Sequence, residues 1–227
     1  MDISRERYIF RTKEQIEESK NKLTPKYEEL ADRYSFIWNW KPQTDIWPLS
    51  YSRSILVSMA TLTGIYLNHR FRARLKMRNY GAIPTFIGVT TTSAATTAYI
   101  HTEFVLNKLL LLEIPCALCL ESQSALLQSC TGVFLPLILI PFGNFSIAAG
   151  SGVYNVPHIS DIKGIFRTIF SAYQPLIPKI VTIFTFQTLI AGFLTYSEIK
   201  SYLRVLDLQY LKEQEKEEQR HQSTNVF

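Results

Sequence analysis

Two cysteines three residues apart, in Cys116-Ala-Leu-Cys119, stand out as side chains whose type and spacing suit chemistry. A C-x-x-C pair serves as half of a zinc site, as a redox dithiol or as a local disulfide, and each use needs different company. Zinc requires a second pair of ligands. Cys130 inside an apolar stretch, with His101 and His158 elsewhere, makes a poor set. A redox dithiol wants a helix N-terminus in a thioredoxin-like fold, and no such pattern surrounds this pair. The readings that remain are a disulfide joining Cys116 to Cys119, where the compartment is oxidising, or two inert thiols, with the disulfide preferred. No catalytic residue, metal or cofactor is expected.

The second cluster is basic. Arg70, Arg72, Arg74, Lys76 and Arg78 follow one another without an acidic residue between them. The chain carries 24 Lys and Arg against 19 Asp and Glu, a net charge of +5, so the excess is concentrated here rather than spread over a nucleic-acid-binding face. Beside an apolar segment, such a run is expected to contact anionic phospholipid or a partner, and no nucleic acid.

The elements that must position these clusters are apolar. Stretches at 49–68, 82–100, 123–142 and 179–196 each approach the roughly 20 residues that cross about 30 Å of hydrocarbon as a helix. Arg53 and Lys179 are their only charged residues, both near an end where a long side chain can snorkel. A pump, ion-coupled carrier or membrane hydrolase needs buried Asp, Glu or His, so a non-enzymatic role is expected. Ala60 and Gly64 form a small-xxx-small pair, Gly88, Thr92 and Ala95 lie in a run of small and hydroxylated residues, and Gln187 is a lone amide. Residues of these types let helices approach and exchange hydrogen bonds, so all six are expected to pack helix against helix. The same hydroxyls would suit a polar pore, but without the ring of charge that many channels use. The sequence thus predicts an all-α membrane protein of about four transmembrane helices with amphipathic helical N- and C-terminal extensions.

The extensions occupy 1–48 and 197–227, around a transmembrane domain of 49–196. Thr12 with Gln15, and Thr24-Pro25 with Glu28, read as helix starts. Phe36, Trp38, Trp40 and Trp47 are expected either to lie on the membrane or to form a cap facing the bundle. Residues 101–115 are expected to continue the second span or lie at the interface. Pro136 and Pro141 are expected to kink or end the third span, and the glycines of 143–152 lack a phosphate-loop pattern. The stripe Ile199, Tyr202, Leu203, Leu206 and Tyr210 continues the last helix, before Lys212–Arg220 fades into a solvated tail. The basic connection and the 143–175 connection are expected on one side, with both termini on the other. Met1–Phe10 holds Asp2 and Glu6 and no apolar run, so any address is expected inside the chain.

In order, the basic connection, Cys116 and Cys119, the span ending Leu137-Ile-Leu-Ile-Pro141, the stretch Ile147-Ala-Ala-Gly150 and the last span running into Tyr196-Ser-Glu-Ile-Lys200 resemble the transmembrane protein 126 family over about residues 50–210. The resemblance implies a multi-pass protein of the mitochondrial inner membrane acting in assembly of respiratory complex I. It implies complex I membrane-arm subunits and assembly factors as partners, and supplies no catalytic residue. A scaffold or chaperone is the leading expectation. The alternatives are a permanent accessory subunit of the same complex and a small-solute channel or carrier using Thr92 and Thr96.

Overall fold

Helix α1 spans 26–39 and ends where Trp40 turns in. Its apolar stripe Leu30, Ile37 and Trp40 is buried, with Ile46 beyond it, against the distal parts of two longer helices. This and the following elements come from a computed structural model, which describes residues 26–77, 79–114, 116–151 and 161–224. The helix starts expected at Thr12 and Thr24 lie outside the described residues. Trp40 and Ile46 are buried whereas Trp38 is exposed, so the segment is a cap on the bundle.

Helix α2 (Trp47–Arg74) opens with Pro48 in its first turn, where a missing N–H costs nothing, and closes with Arg72 and Arg74 in its last turn, where cations suit the helix dipole. The basic run is thus largely helical. Gly81, at φ +60, then reverses the chain. A Cβ at this position would also run into Ile147, so the turn needs glycine for both conformation and space. Helix α3 (Ala82–His101) continues through a π-helical turn at Thr102–Leu106 into Asn107–Leu110.

Helix α4 (Ala117–Ser129) passes through a second π-helical turn, Cys130–Phe134, into α5 (Leu135–Ser151). Proline does not end this helix where the sequence suggests it. Pro141 lacks an N–H, which strips Leu137 O of its intrahelical partner. The Tyr173 hydroxyl replaces that partner, donating to Leu137 O at 3.1 Å. Helix α6 (Ile162–Tyr173) is capped by Asp161, whose Oδ1 accepts from Gly164 N at 3.0 Å. After a 3-10 turn at Gln174–Leu176, α7 (Ile177–Thr224) runs for 48 residues, about 72 Å at 1.5 Å per residue. Its 212–220 segment is exposed but helical rather than a loose tail, because Lys, Glu, Gln and Arg are good helix formers.

The described residues contain helices and no strand. Helices α2, α3, α4–α5 and α7 run up and down beside one another. One end of the bundle holds Leu67, Phe71, Val89, Ile140 and Ala172; the other holds the α1 cap with Val105, Leu109, Leu110, Tyr202 and Val205; Leu56, Ala191 and Leu194 lie between. Two stretches are long and apolar enough to cross a membrane, Ala117–Gly150 and Lys163–Arg220. Helices α2 and α3, at 28 and 20 residues, have the length, but serine and threonine make them less apolar.

Candidate functional site

The buried polar side chains form three groups stacked along the bundle. At the end reached by the last turn of α2, Arg72 is 4% exposed. It donates to Asn144 Oδ1 at 2.8 Å, Thr85 Oγ1 at 3.1 Å and Gly81 O at 3.3 Å, and also to Tyr80 O. Asn144 in turn donates to Asn68 Oδ1 and Ile140 O, both at 2.8 Å. These partners are neutral, and they tie α2, the 80–81 turn, α3 and α5 together. Arg72 was expected to face lipid or a partner, and this is corrected: it lies one helical turn beyond Asn68, on the same buried face. Arg70, Arg74 and Lys76 are exposed, Arg70 lying over the Tyr66 ring at 5.5 Å, and Arg78 lies outside the described residues.

In the middle, Gln187 donates to Thr63 Oγ1 at 2.7 Å and accepts from Gln128 Nε2 at 3.0 Å, while Gln128 also donates to Leu56 O at 3.2 Å. Gly132, in the second π-helical turn, lets this amide in, since a Cβ there would run into Gln187 Oε1. Thr195 with Ser124, at 2.7 Å, and Ser129 with Thr188, at 2.9 Å, stitch α7 to α4 on either side.

At the far end Glu198 is fully buried. Its Oε1 accepts from Ser52 and lies 3.1 Å from His101 Nε2. Its Oε2, together with Thr97 Oγ1 and Ser93 Oγ, finds no hydrogen-bond partner among the described residues. Thr97 and His101 border a cavity of about 10 Å³, the lower limit for a single water. The expectation of a bundle without buried titratable groups is thereby corrected. His101 and Glu198 fall one and two residues past the apolar stretches 82–100 and 179–196, and Arg72 four past 49–68. The signal available in the sequence was the four-residue repeat Thr85, Val89, Ser93, Thr97, His101, every member of which is buried.

The same repeat decides the packing faces. Ala60, Gly64 and Gln187 are buried, and a Cβ on Gly64 would come within 3.1 Å of Val89 Cγ1. Gly88, Thr92 and Ala95 were expected at helix contacts and are exposed instead. They lie about a quarter-turn or more around α3 from the buried stripe, so they face outward.

The cysteine pair sits at the start of α4, not in a loop between helices. Cys116 is the N-cap, its Sγ accepting from Cys119 N at 3.3 Å. All three cysteines are free, so the structure holds the pair as two thiols rather than as the expected Cys116–Cys119 disulfide. Hydrogen bonding from the Cys119 thiol, then from the Cys119 backbone N–H, lowers the Cys116 pKa below the ordinary thiol value. Among the described residues no three His, Cys, Asp or Glu gather as a metal site; His158 lies outside them.

A helical bundle that buries arginine, glutamate and amides while exposing aliphatic and aromatic residues is organised as a membrane protein. The family described as Transmembrane protein 126 matches residues 30–212, and the chain belongs to it. A Drosophila melanogaster protein named Transmembrane protein 126 is 28% identical over 192 residues, covering 82% of this chain and 86% of the relative. No solved structure matches the chain.

Proposed function

We propose that this chain is a four-span scaffold of the mitochondrial inner membrane that acts without catalysis in assembly of respiratory complex I, holding membrane-arm subunits and other assembly factors. The observation that carries the membrane part is the inversion of polarity on all four long helices. Ile55, Leu62 and Ile65 of α2, Ile83 and Ile87 of α3, Leu126, Ile138 and Phe142 of α4–α5, and Val181, Phe186, Leu189 and Phe193 of α7 are exposed around a hydrogen-bonded interior. In water so extensive an apolar surface would aggregate, whereas hydrocarbon solvates it.

The scaffold part is supported by how the polar groups are used. Gln187, Gln128, Asn68, Asn144 and Arg72 bond to one another and to backbone across the bundle, which favours a closed core over a conducting path. The outward residues Gly88, Thr91, Thr92 and Ala95 then offer a neighbouring helix a small, hydroxylated face. The mitochondrial address and complex I rest on the family resemblance. Deletion of the chain is expected to deplete mature complex I and accumulate membrane-arm intermediates on native gels, with the tagged chain co-migrating only with the intermediates. Unchanged complex I would refute the reading, and retention in the mature enzyme would make the chain a subunit.

A further inference from the structure

We propose that the groove between α5 and α6 binds one acyl chain of an anionic phospholipid whose phosphate is held by Lys163 and Arg167. The groove has a volume of about 480 Å³, within the range of about 300–1,000 Å³ usual for small-molecule sites, and opens to the outside. Leu137, Ile138, Phe142, Phe145, Ile165 and Ile169 line it, nearly all carbon. Helix α6 supplies both halves of a lipid site. Ile165, Ile169 and Ala172 turn toward the bundle, Phe166 and Phe170 are exposed on the flank, and Lys163 and Arg167 lie past these rings on the outer face of the helix, outside the groove itself. At 100° per residue this places cations beside aromatic rings along one edge, the pattern of a helix lying in the headgroup layer.

Charge at this end of the bundle selects the headgroup. Arg70, Arg74 and Lys76 are exposed at the end of α2, and the stretches 66–90 and 136–185 contain a single acidic residue, Asp161. That carboxylate is already engaged as the cap of α6. A diacyl anion therefore places its tail in the groove and its phosphate by the cations beyond Phe166 and Phe170, whereas an apolar helix from another protein would satisfy only the groove.

This site rests on the membrane-spanning reading above. The test uses the full-length chain in nanodiscs of phosphatidylcholine with a minor fraction of phosphatidylglycerol, each lipid carrying a photoactivatable acyl chain in turn. Phosphatidylglycerol is expected to label peptides from 137–149 and 162–173 in preference to phosphatidylcholine. The exposed-site variant K163Q/R167Q is expected to lower that preference about fivefold for each charge removed, while labelling of the groove persists. Ser146→Trp, which fills the groove and leaves the charges intact, is expected to abolish labelling there. Equal labelling by the two lipids, indifference to both variants, or a second polypeptide cross-linked at Ile138 would each overturn the proposal. Extraction of the chain from membranes by alkaline carbonate would overturn the membrane reading and this site together; failure of lipid preference in a carbonate-resistant chain would overturn this site alone.

Discussion

The two ends of the bundle bury an arginine and a glutamate and satisfy them differently. At one end Arg72 distributes its cation over three side-chain or backbone oxygens on α3, α5 and the 80–81 turn, plus Tyr80 O, and its chief partner Asn144 is itself fully bonded. At the other end Glu198 has His101 and Ser52 on a single oxygen and no partner for the second among the described residues. A planar fork of five donors can satisfy several elements at once; a carboxylate with one free oxygen retains bonding capacity. The Arg72 group is therefore read as a fixed polar joint, and the Glu198 group as the less completely bonded of the two, within an end held mainly by apolar packing.

The sharpest break of this comparison is a pair of near-isosteric changes. Arg72→Lys is expected to cost about 2–3 kcal/mol, since one ammonium cannot reach all these acceptors, while Glu198→Gln should stay within about 1 kcal/mol because one oxygen can still serve Ser52 and His101. Thermal unfolding in mild detergent would measure both, and equal losses would erase the distinction between the ends. Midway, Gly132→Ala forces a methyl against Gln187 Oε1 and should cost about 1–3 kcal/mol by the same measurement. A neutral result would mean that the amide group does not link the two ends.

A smaller effect isolates the arginine end. Tyr173→Phe removes the hydroxyl that serves Leu137 O opposite Pro141, and a loss of about 1 kcal/mol is expected. Faster amide exchange near 137–141, with no change near 198, would place the damage at that end. The smallest effect lies at the opposite end, where the Cys116 pKa is lowered chiefly by the Cys119 thiol. Removing that thiol with Cys119→Ala should raise the pH midpoint for alkylation of Cys116. Since the folded pKa lies below the unfolded one, the associated stabilisation is present above the unfolded pKa and fades as pH falls through the folded value. A midpoint indifferent to Cys119 would show that the Cys119 thiol does not act on Cys116 and leave the retained backbone N–H as the cause of the lowered pKa.

Much of the architecture was legible before the fold was known. Apolar lengths placed the four long helices, and the small residues Ala60 and Gly64 and the lone amide Gln187 pointed to residues that the structure buries. Cutting the helices where hydropathy falls was misleading, because Arg72, His101 and Glu198 sit within four residues of those cuts and yet are enclosed by protein. The run from Gly88 to Ala95 misled in another way: composition marked the helix as polar without saying which side of it faced inward. Pro141 suggested an end to its helix because its remedy, Tyr173, comes from another helix.

The chain's own order of residues determined that it is helical, where its long apolar segments lie and, through the succession of its features, to which family it belongs. These properties depend on neighbours a few positions apart, through the 3.6-residue period and the backbone's need to satisfy its own hydrogen bonds. Tertiary structure alone decided the fate of its ions and its cysteines. A buried ionisable group is tolerated only beside particular oxygens or imidazoles, and those are supplied from 72 residues away for Arg72 and Asn144, and from 146 residues away for Ser52 and Glu198.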